Sequence, residues 1–176
     1  MNAAHIFIAL AAAIPALAQT SATLARSRAS FDLIVHQPYP EAARLFGPEG
    51  ERAWAGSHWN PEFLHPQPAA DVEGAVFTIQ HGSMKAVWVS SLRDLDARHL
   101  QYVYFLPNLL VTVIDVRFQP AGAGATNVNV VYTRSALTLE GNEHVATLSR
   151  GDQAAGKEWQ LALDDYLITN RQNRRP

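Results

Sequence analysis

Seven histidines and sixteen aromatic side chains (four Trp, five Tyr and seven Phe) are the residues of this chain best suited to chemistry. His58, His65, His81, His99 and His144 are the histidines to weigh as metal ligands. No pair stands at the i, i+4 spacing that sets two imidazoles on one helix face, and HExxH is absent. His58 and His65 flank a segment broken by Pro61, so their side chains need not converge. These histidines read as surface or hydrogen-bonded groups, with His65 and His81 kept as polar groups for a cavity. No metal and no cofactor is expected.

Nucleophilic catalysis has no motif behind it. Ser83, Ser90, Ser91, Ser135 and Ser149 are available, but none lies in a GxSxG elbow. Asp115 and Arg117 share one face of a strand pattern and read as part of a wet sheet surface near Asn127 and Asn129. Gly122-Ala123-Gly124 lies between two strand patterns and lacks the strand-to-helix setting of a phosphate loop.

The aromatics offer more. Trp54, Trp59, Phe63, Phe77, Trp88, Tyr102, Tyr104, Trp159 and Tyr166 exceed what a small core must have. Any one of them can serve as core filler; together they can wall a tunnel. Tyr102 and Tyr104 fall on the same strand face, where their phenols can orient a carbonyl or hydroxyl. The candidate ligand-binding set is these nine with His65 and His81.

The elements that would position them follow from periodicity. Residues 29–36 alternate Phe31, Leu33 and Val35 against Asp32, Ile34 and His36, a half-buried first strand ended by Pro38 and Pro40. Residues 40–46 read as a short helix with proline in its first turn and Gly47 at its end. A second short helix is expected over 48–55, with Glu49 and Glu51 suiting its positive N-terminus and Trp54 as its apolar contact. The segment 58–66 reads as an irregular or edge strand. Strands are then expected over 75–80, 84–91, 98–106, 109–119 and 125–137, joined by short turn-rich connections that imply antiparallel hairpins. Ile114, Val116 and Phe118, and likewise Val128, Val130 and Tyr132, mark the dry face of the last two strands. That face needs a cover. The segment 143–168 supplies one, because Val145, Leu148, Ala155, Trp159, Ala162, Leu163, Tyr166 and Leu167 recur at helical spacing. Asp152 is assigned to its polar side, and a bend is expected near Gly151.

This order, and the local text Phe46-Gly47-Pro48-Glu49-Gly50-Glu51-Arg52-Ala53-Trp54 followed by Trp59-Asn60-Pro61-Glu62-Phe63, resembles the START-like, or SRPBCC, superfamily that includes polyketide cyclase and dehydrase-like proteins. Gly74-Ala75-Val76-Phe77-Thr78 and Lys157-Glu158-Trp159 fit the same pattern. Asn60 stands where the pattern has Asp. The resemblance spans residues 30–169. It implies an α+β helix-grip fold, in which a curved antiparallel sheet wraps a long C-terminal helix and leaves a tunnel between them. Such tunnels are mostly apolar with a few placed polar groups.

Composition bounds the partners. The chain has 176 residues, 48% of them hydrophobic and 17% charged, which suits one folded domain. A formal net charge of −2 without a basic stripe speaks against nucleic acid. With no cysteine, stability must come from the core. Ile6 to Ile14 form an apolar run, Pro15 breaks it, and Ala16-Leu17-Ala18 places small residues before Gln19. That is the layout of a signal peptide cleaved after Ala18. The run is shorter than the roughly 20 residues a bilayer span needs, so stable membrane insertion is not expected. The expected organisation is a signal peptide 1–18, a flexible linker 19–27, a domain 28–170 and a disordered tail 171–176, in a periplasmic or secreted protein.

Three functions compete. The first is an exported binding protein for a small hydrophobic molecule such as a lipid, polyketide or aromatic. The second is a cyclase, dehydratase or hydrolase using His65, His81, Tyr102 or Tyr104 as acid or base in the cavity. The third is a docking protein presenting an exposed apolar patch around Trp54 and Trp59.

Overall fold

The computed structural model describes residues 23–173. The expected signal peptide and the first part of the expected linker lie outside the described residues, as do the last three residues of the expected tail.

Strand β1 covers Arg26–Val35 and is followed by helix α1, Tyr39–Ala43, and a single turn of 3-10 helix, Gly50–Ala53. Six strands follow in a meander: β2 (Glu62–His65), β3 (Val76–His81), β4 (Met84–Asp94), β5 (His99–Leu106), β6 (Leu110–Pro120) and β7 (Thr126–Ala136). Helix α2, Gly141–Asn173, closes the chain. The strands form one antiparallel sheet in the order β1-β7-β6-β5-β4-β3-β2. β1 pairs with the last strand of the meander and so brings the N-terminal half of the fold back against its C-terminal half.

The strand that starts the domain is longer than its hydrophobic pattern. Arg26 and Ser27 pair with Ser135 and Arg134, so two residues assigned to a linker are sheet. Backbone pairing extends a strand beyond its apolar residues because the ladder needs only N–H and C=O groups. At the other end α2 continues through Asn173, five residues past its last expected turn, and takes in residues 171–173 of the expected tail. Gly151 does not interrupt it.

Burial follows the alternation read from the sequence. Leu33 and Val35 on β1, Ile114, Val116 and Phe118 on β6, and Val128, Val130 and Tyr132 on β7 all face inward. The covering helix contributes Val145, Leu163 and Leu167 as buried contacts, while Trp159, Ala162 and Tyr166 are half-buried. Gln160 clamps the helix to the sheet by hydrogen-bonding both Ile34 N and Ile34 O, at 2.8 and 2.9 Å. Gly156 is the point of closest approach. A Cβ there would lie 2.8 Å from Phe31 Cβ, so glycine lets the helix sit directly on β1.

The 3-10 turn is held over the sheet by its entry. Gly47 has φ of +135°, a conformation that a side chain rarely adopts, and its chain then turns into Pro48. Asp71 receives the N–H groups of Glu49 and Gly50, at 2.8 and 3.0 Å. Trp54 Nε1 donates to Leu45 O at 2.7 Å and Trp59 Nε1 to Pro48 O at 3.0 Å. Trp54 is only 7% exposed. The expected docking patch around Trp54 and Trp59 is therefore not present: both indoles turn inward and spend their N–H groups on the chain's own backbone.

Candidate functional site

Antiparallel register sets inner-face residues in rows across the sheet. One row crosses six strands. Phe63 on β2 lies opposite Phe77 on β3, Phe77 opposite Trp88 on β4, and Trp88 opposite Tyr104 on β5. Tyr104 then faces Thr112 on β6, and Thr112 faces Arg134 on β7. The row is aromatic on β2–β5 and polar on β6–β7. Rings within it lie nearly parallel: Phe77 and Trp88 at 19°, Trp88 and Tyr104 at 25° with centroids 4.4 Å apart. His81 adds a further plane, inclined 12° to Trp88 and 13° to Tyr104.

Above this floor the helix stands away. α2 packs on β1 and β7, and what remains over β3–β5 is a partly open cavity of about 530 Å³. Its walls include Trp54, His58, Trp59, His81, Trp88, Tyr104, Tyr132, Arg134 and Trp159. A narrow compartment of about 30 Å³ adjoins it, lined by Phe77, Tyr102 and Ile114 together with Glu51, Trp59, Trp88, Tyr132 and Trp159, which both spaces share. That is room for a water molecule or one small substituent.

Of the candidate residues, Trp54, Trp59, Phe77, His81, Trp88, Tyr102, Tyr104 and Trp159 therefore surround one space. Three do not. Phe63 ends the aromatic row on the edge strand and packs on Phe77 from outside the cavity. His65 is exposed at the end of β2, where a register shift after Phe63 breaks the alternation that would have carried it inward. Tyr166 lies on the flank of α2, because Leu163 and Leu167 hold the contact line.

Three polar residues of the site were not among the candidates. Arg134 and Asp152 form an ion pair inside the protein, both 5% exposed. Arg134 Nε and Nη2 reach the two Asp152 oxygens at 2.9 and 2.5 Å. Arg134 Nη1 also donates to Thr112 Oγ1 at 3.0 Å and to the Tyr104 hydroxyl. Burial alone would lower the arginine's pKa, but the hydrogen bond to Asp152 and the neighbouring Tyr104 and Asp152 charges outweigh it and raise it. The pair ties β7 to α2. Asp152 thus belongs to the buried side of the helix, not the polar side.

Glu51 is the third. Expected as a partner for a helix N-terminus, it is buried at 7% exposure and turned into both compartments. Its Oε1 accepts from Gly47 N at 3.2 Å. Burial pushes its pKa from 4.5 up to about 8; the Gly47 N–H opposes the shift and the Asp71 charge adds to it. Near neutral pH it is a carboxylic acid that can donate a hydrogen bond. Burial, with the nearby Glu51 charge, also raises the Tyr102 and Tyr132 phenols. His81 is pushed the other way, by burial first and then by the Arg134 and His58 charges, so its imidazole is neutral. Apart from the exposed Glu158, the cavity therefore presents neutral groups that give and accept protons, with the buried Arg134 cation cancelled by Asp152.

Three of the lining residues, His81, Trp88 and Tyr102, carry a buried polar atom without a partner, and Thr78 and Arg93 carry one outside both compartments. Among the described residues, the buried side-chain atoms lacking any hydrogen bond are Thr78 Oγ1, His81 Nε2, Trp88 Nε1, Arg93 Nη1 and Tyr102 Oη. All belong to β3, β4 or β5. Asp115, by contrast, sits on the outer face as expected and accepts from Gln101 at 3.1 Å, with His99 Nε2 2.8 Å away. No group of three or more metal-ligating side chains occurs among the described residues, and none of the described helices is long and apolar enough to cross a membrane.

No protein-family model matches the chain, and no curated protein matches it in sequence. Solved structures do match in shape. A hypothetical protein from Helicobacter pylori superposes with a TM-score of 0.64 at 10% identity, covering 80% of this chain and 87% of its own. Norcoclaurine synthase from Thalictrum flavum, in complex with dopamine and hydroxybenzaldehyde, gives 0.59 at 12% identity over 87% of this chain and 90% of its own. The di-domain ARO/CYC protein BexL from the BE-7585A biosynthetic pathway gives 0.60 at 14% identity over 81% of this chain, which spans 46% of BexL. The chain has the helix-grip fold that these structures share. At these identities the likeness establishes the fold and leaves the activity to the site itself.

Proposed function

We propose that the protein is an exported binding protein that holds a small hydrophobic, ring-bearing molecule between its sheet and α2. The observation that carries this reading is the cavity of about 530 Å³ over β3–β5, floored by near-parallel rings and lined, with its side compartment, by His81, Trp88 and Tyr102, each with a buried polar atom that no protein group satisfies. Buried polar groups are almost always paired in folded proteins. Three such orphans, on His81, Trp88 and Tyr102, belong to one concave aromatic surface, where a bound guest would complete them. The norcoclaurine synthase structure of the same fold holds two small aromatic molecules, which supports the reading.

Native mass spectrometry of protein purified from its own cell envelope tests it. A reproducible added mass, released on denaturation, is expected. Ligand-free spectra from repeated preparations, with no binding of any hydrophobic aromatic in solution, would overturn it. Export is tested by sequencing the N-terminus of the purified protein; a start at Gln19 supports cleavage after Ala18, and a start at Met1 refutes it.

A second reading is favoured by one observation. Glu51, with its pKa near 8, and neutral His81 face the same cavity and form an acid–base set of the kind a cyclase or dehydratase uses. Incubating the protein with its own released ligand separates the two. A carrier returns the molecule unchanged; an enzyme returns a product of altered mass or bonding, at a rate that Glu51→Gln abolishes.

A further inference from the structure

The hydrogen-bond directions around Arg134 say more about the guest than the shape of the cavity does. Arg134 is a donor only, so each of its four hydrogen bonds places an acceptor opposite it. One of those acceptors is the Tyr104 hydroxyl oxygen. Tyr104 cannot return its proton to a guanidinium. No other acceptor among the described residues takes that proton. The Asp152 carboxylate, the one strong acceptor bonded to this network, is engaged by two bonds from Arg134. The Tyr104 O–H is thus left to point at the cavity it lines.

Trp88, stacked on Tyr104 with ring centroids 4.4 Å apart, adds a second orphan donor. Its Nε1–H is buried and unpartnered, and an indole N–H can only donate. Two adjacent donors without acceptors make a ligand with acceptor oxygens the complement of this wall. The charge distribution narrows the choice. A carboxylate would find Arg134 already neutralised by Asp152. An ammonium would face the same buried guanidinium, with Glu158, exposed to solvent, as the one unpaired carboxylate among the described lining residues besides buried Glu51. An uncharged oxygen incurs neither penalty.

We infer that Tyr104, held in place by the Arg134–Asp152 pair, is the specificity-determining residue of the cavity and donates its phenolic proton to an uncharged carbonyl oxygen on a ring-bearing ligand. This rests on the binding reading above and names the chemistry that the cavity selects. Arg134 and Asp152 act through Tyr104 as positioning residues. They fix which way its hydroxyl is used, and they touch no ligand in this role.

Three naphthalene probes of nearly equal size separate the possibilities by isothermal titration calorimetry on the full protein: acetylnaphthalene, ethylnaphthalene and the corresponding naphthylethylamine. The ketone is expected to bind about tenfold more tightly than the hydrocarbon, the scale of one buried donor gaining its partner. The ammonium form of the amine is expected to bind weakest. In Tyr104→Phe, which keeps the ring on Trp88, the ketone-to-hydrocarbon ratio should collapse toward one while the hydrocarbon's own affinity holds. A mere loss of packing would weaken both probes together and leave the ratio unchanged. Equal affinity for ketone and hydrocarbon in the unaltered protein, or a preference that survives in Tyr104→Phe, overturns the inference and leaves the binding function standing. Failure of all three probes to bind removes the binding function for aromatic ligands and this inference with it.

Discussion

The two halves of the sheet treat burial differently. Over β1 and β7 the helix lies in direct contact: Gly156 admits it to Phe31, Gln160 satisfies both polar groups of Ile34, and Leu163 is fully buried. Even the charges of that half are resolved, since Arg134 and Asp152 meet with two hydrogen bonds. Over β3–β5 the same helix stands clear, the floor is aromatic, and each of the orphaned buried polar atoms belongs to those strands. One half is finished as a core and the other is left as a receptor. A twisted sheet curves away from a straight helix, so a single rod cannot cover its whole width.

The largest effect should come from the finished half. Leu163→Ala leaves a cavity where nothing can collapse into it and should cost about 3 kcal/mol of unfolding free energy in urea titration. Aromatic-ligand affinity in that variant should change less than threefold, because Leu163 lines neither compartment. A loss of binding as large as the loss of stability would erase the distinction between the halves.

An effect that appears only as pH changes belongs to Glu51 in the open half. Its folded pKa of about 8 lies above the unfolded 4.5, so the folded state binds the extra proton between those values. Stability from this group is fully present below pH 4.5 and is lost as pH rises toward and through 8. Glu51→Gln, which cannot ionise, should flatten that part of the pH–stability profile in thermal melts. An unchanged slope in the variant would show that Glu51 is charged and solvated inside the cavity.

The smallest effect is expected at Tyr102. Its hydroxyl is buried beside the Arg93 guanidinium without a hydrogen bond of good geometry, so Tyr102→Phe removes a poorly satisfied group and keeps the ring. Stability should shift by less than about 0.5 kcal/mol, or rise, where loss of a satisfied phenol would lower it by about 1 kcal/mol. A clear destabilisation would mean that the open half is as fully bonded as the closed one.

Much of this was legible in the residues. Period-2 alternation located the strands and their dry faces at Ile114, Val116 and Phe118 and at Val128, Val130 and Tyr132, because side chains on a strand have no choice of face once one is fixed. Helical spacing located α2, and its apolar stripe named Val145, Leu163 and Leu167. The aromatic residues of β3–β5 were legible as a set for the same reason. Two further signals stood in the same periodicities. Arg134 continues the inward series Val128, Val130, Tyr132, and Asp152 continues the series Val145, Leu148 at steps of three and four. A charge on each of two facing dry surfaces foretells a buried pair.

What the sequence by itself determined, then, is which elements form and which face the apolar residues of regular strands take, since those follow from local geometry with a fixed period. Tertiary structure alone decided which faces meet. It set Arg134 against Asp152, 18 residues away along the chain, turned Glu51 from a helix end into a cavity, and left His65, Phe63 and Tyr166 outside it. Those outcomes depend on the curvature of the sheet, a register shift on its edge strand and the tilt of a loop held by Asp71, none of which has a repeat that a linear chain can display.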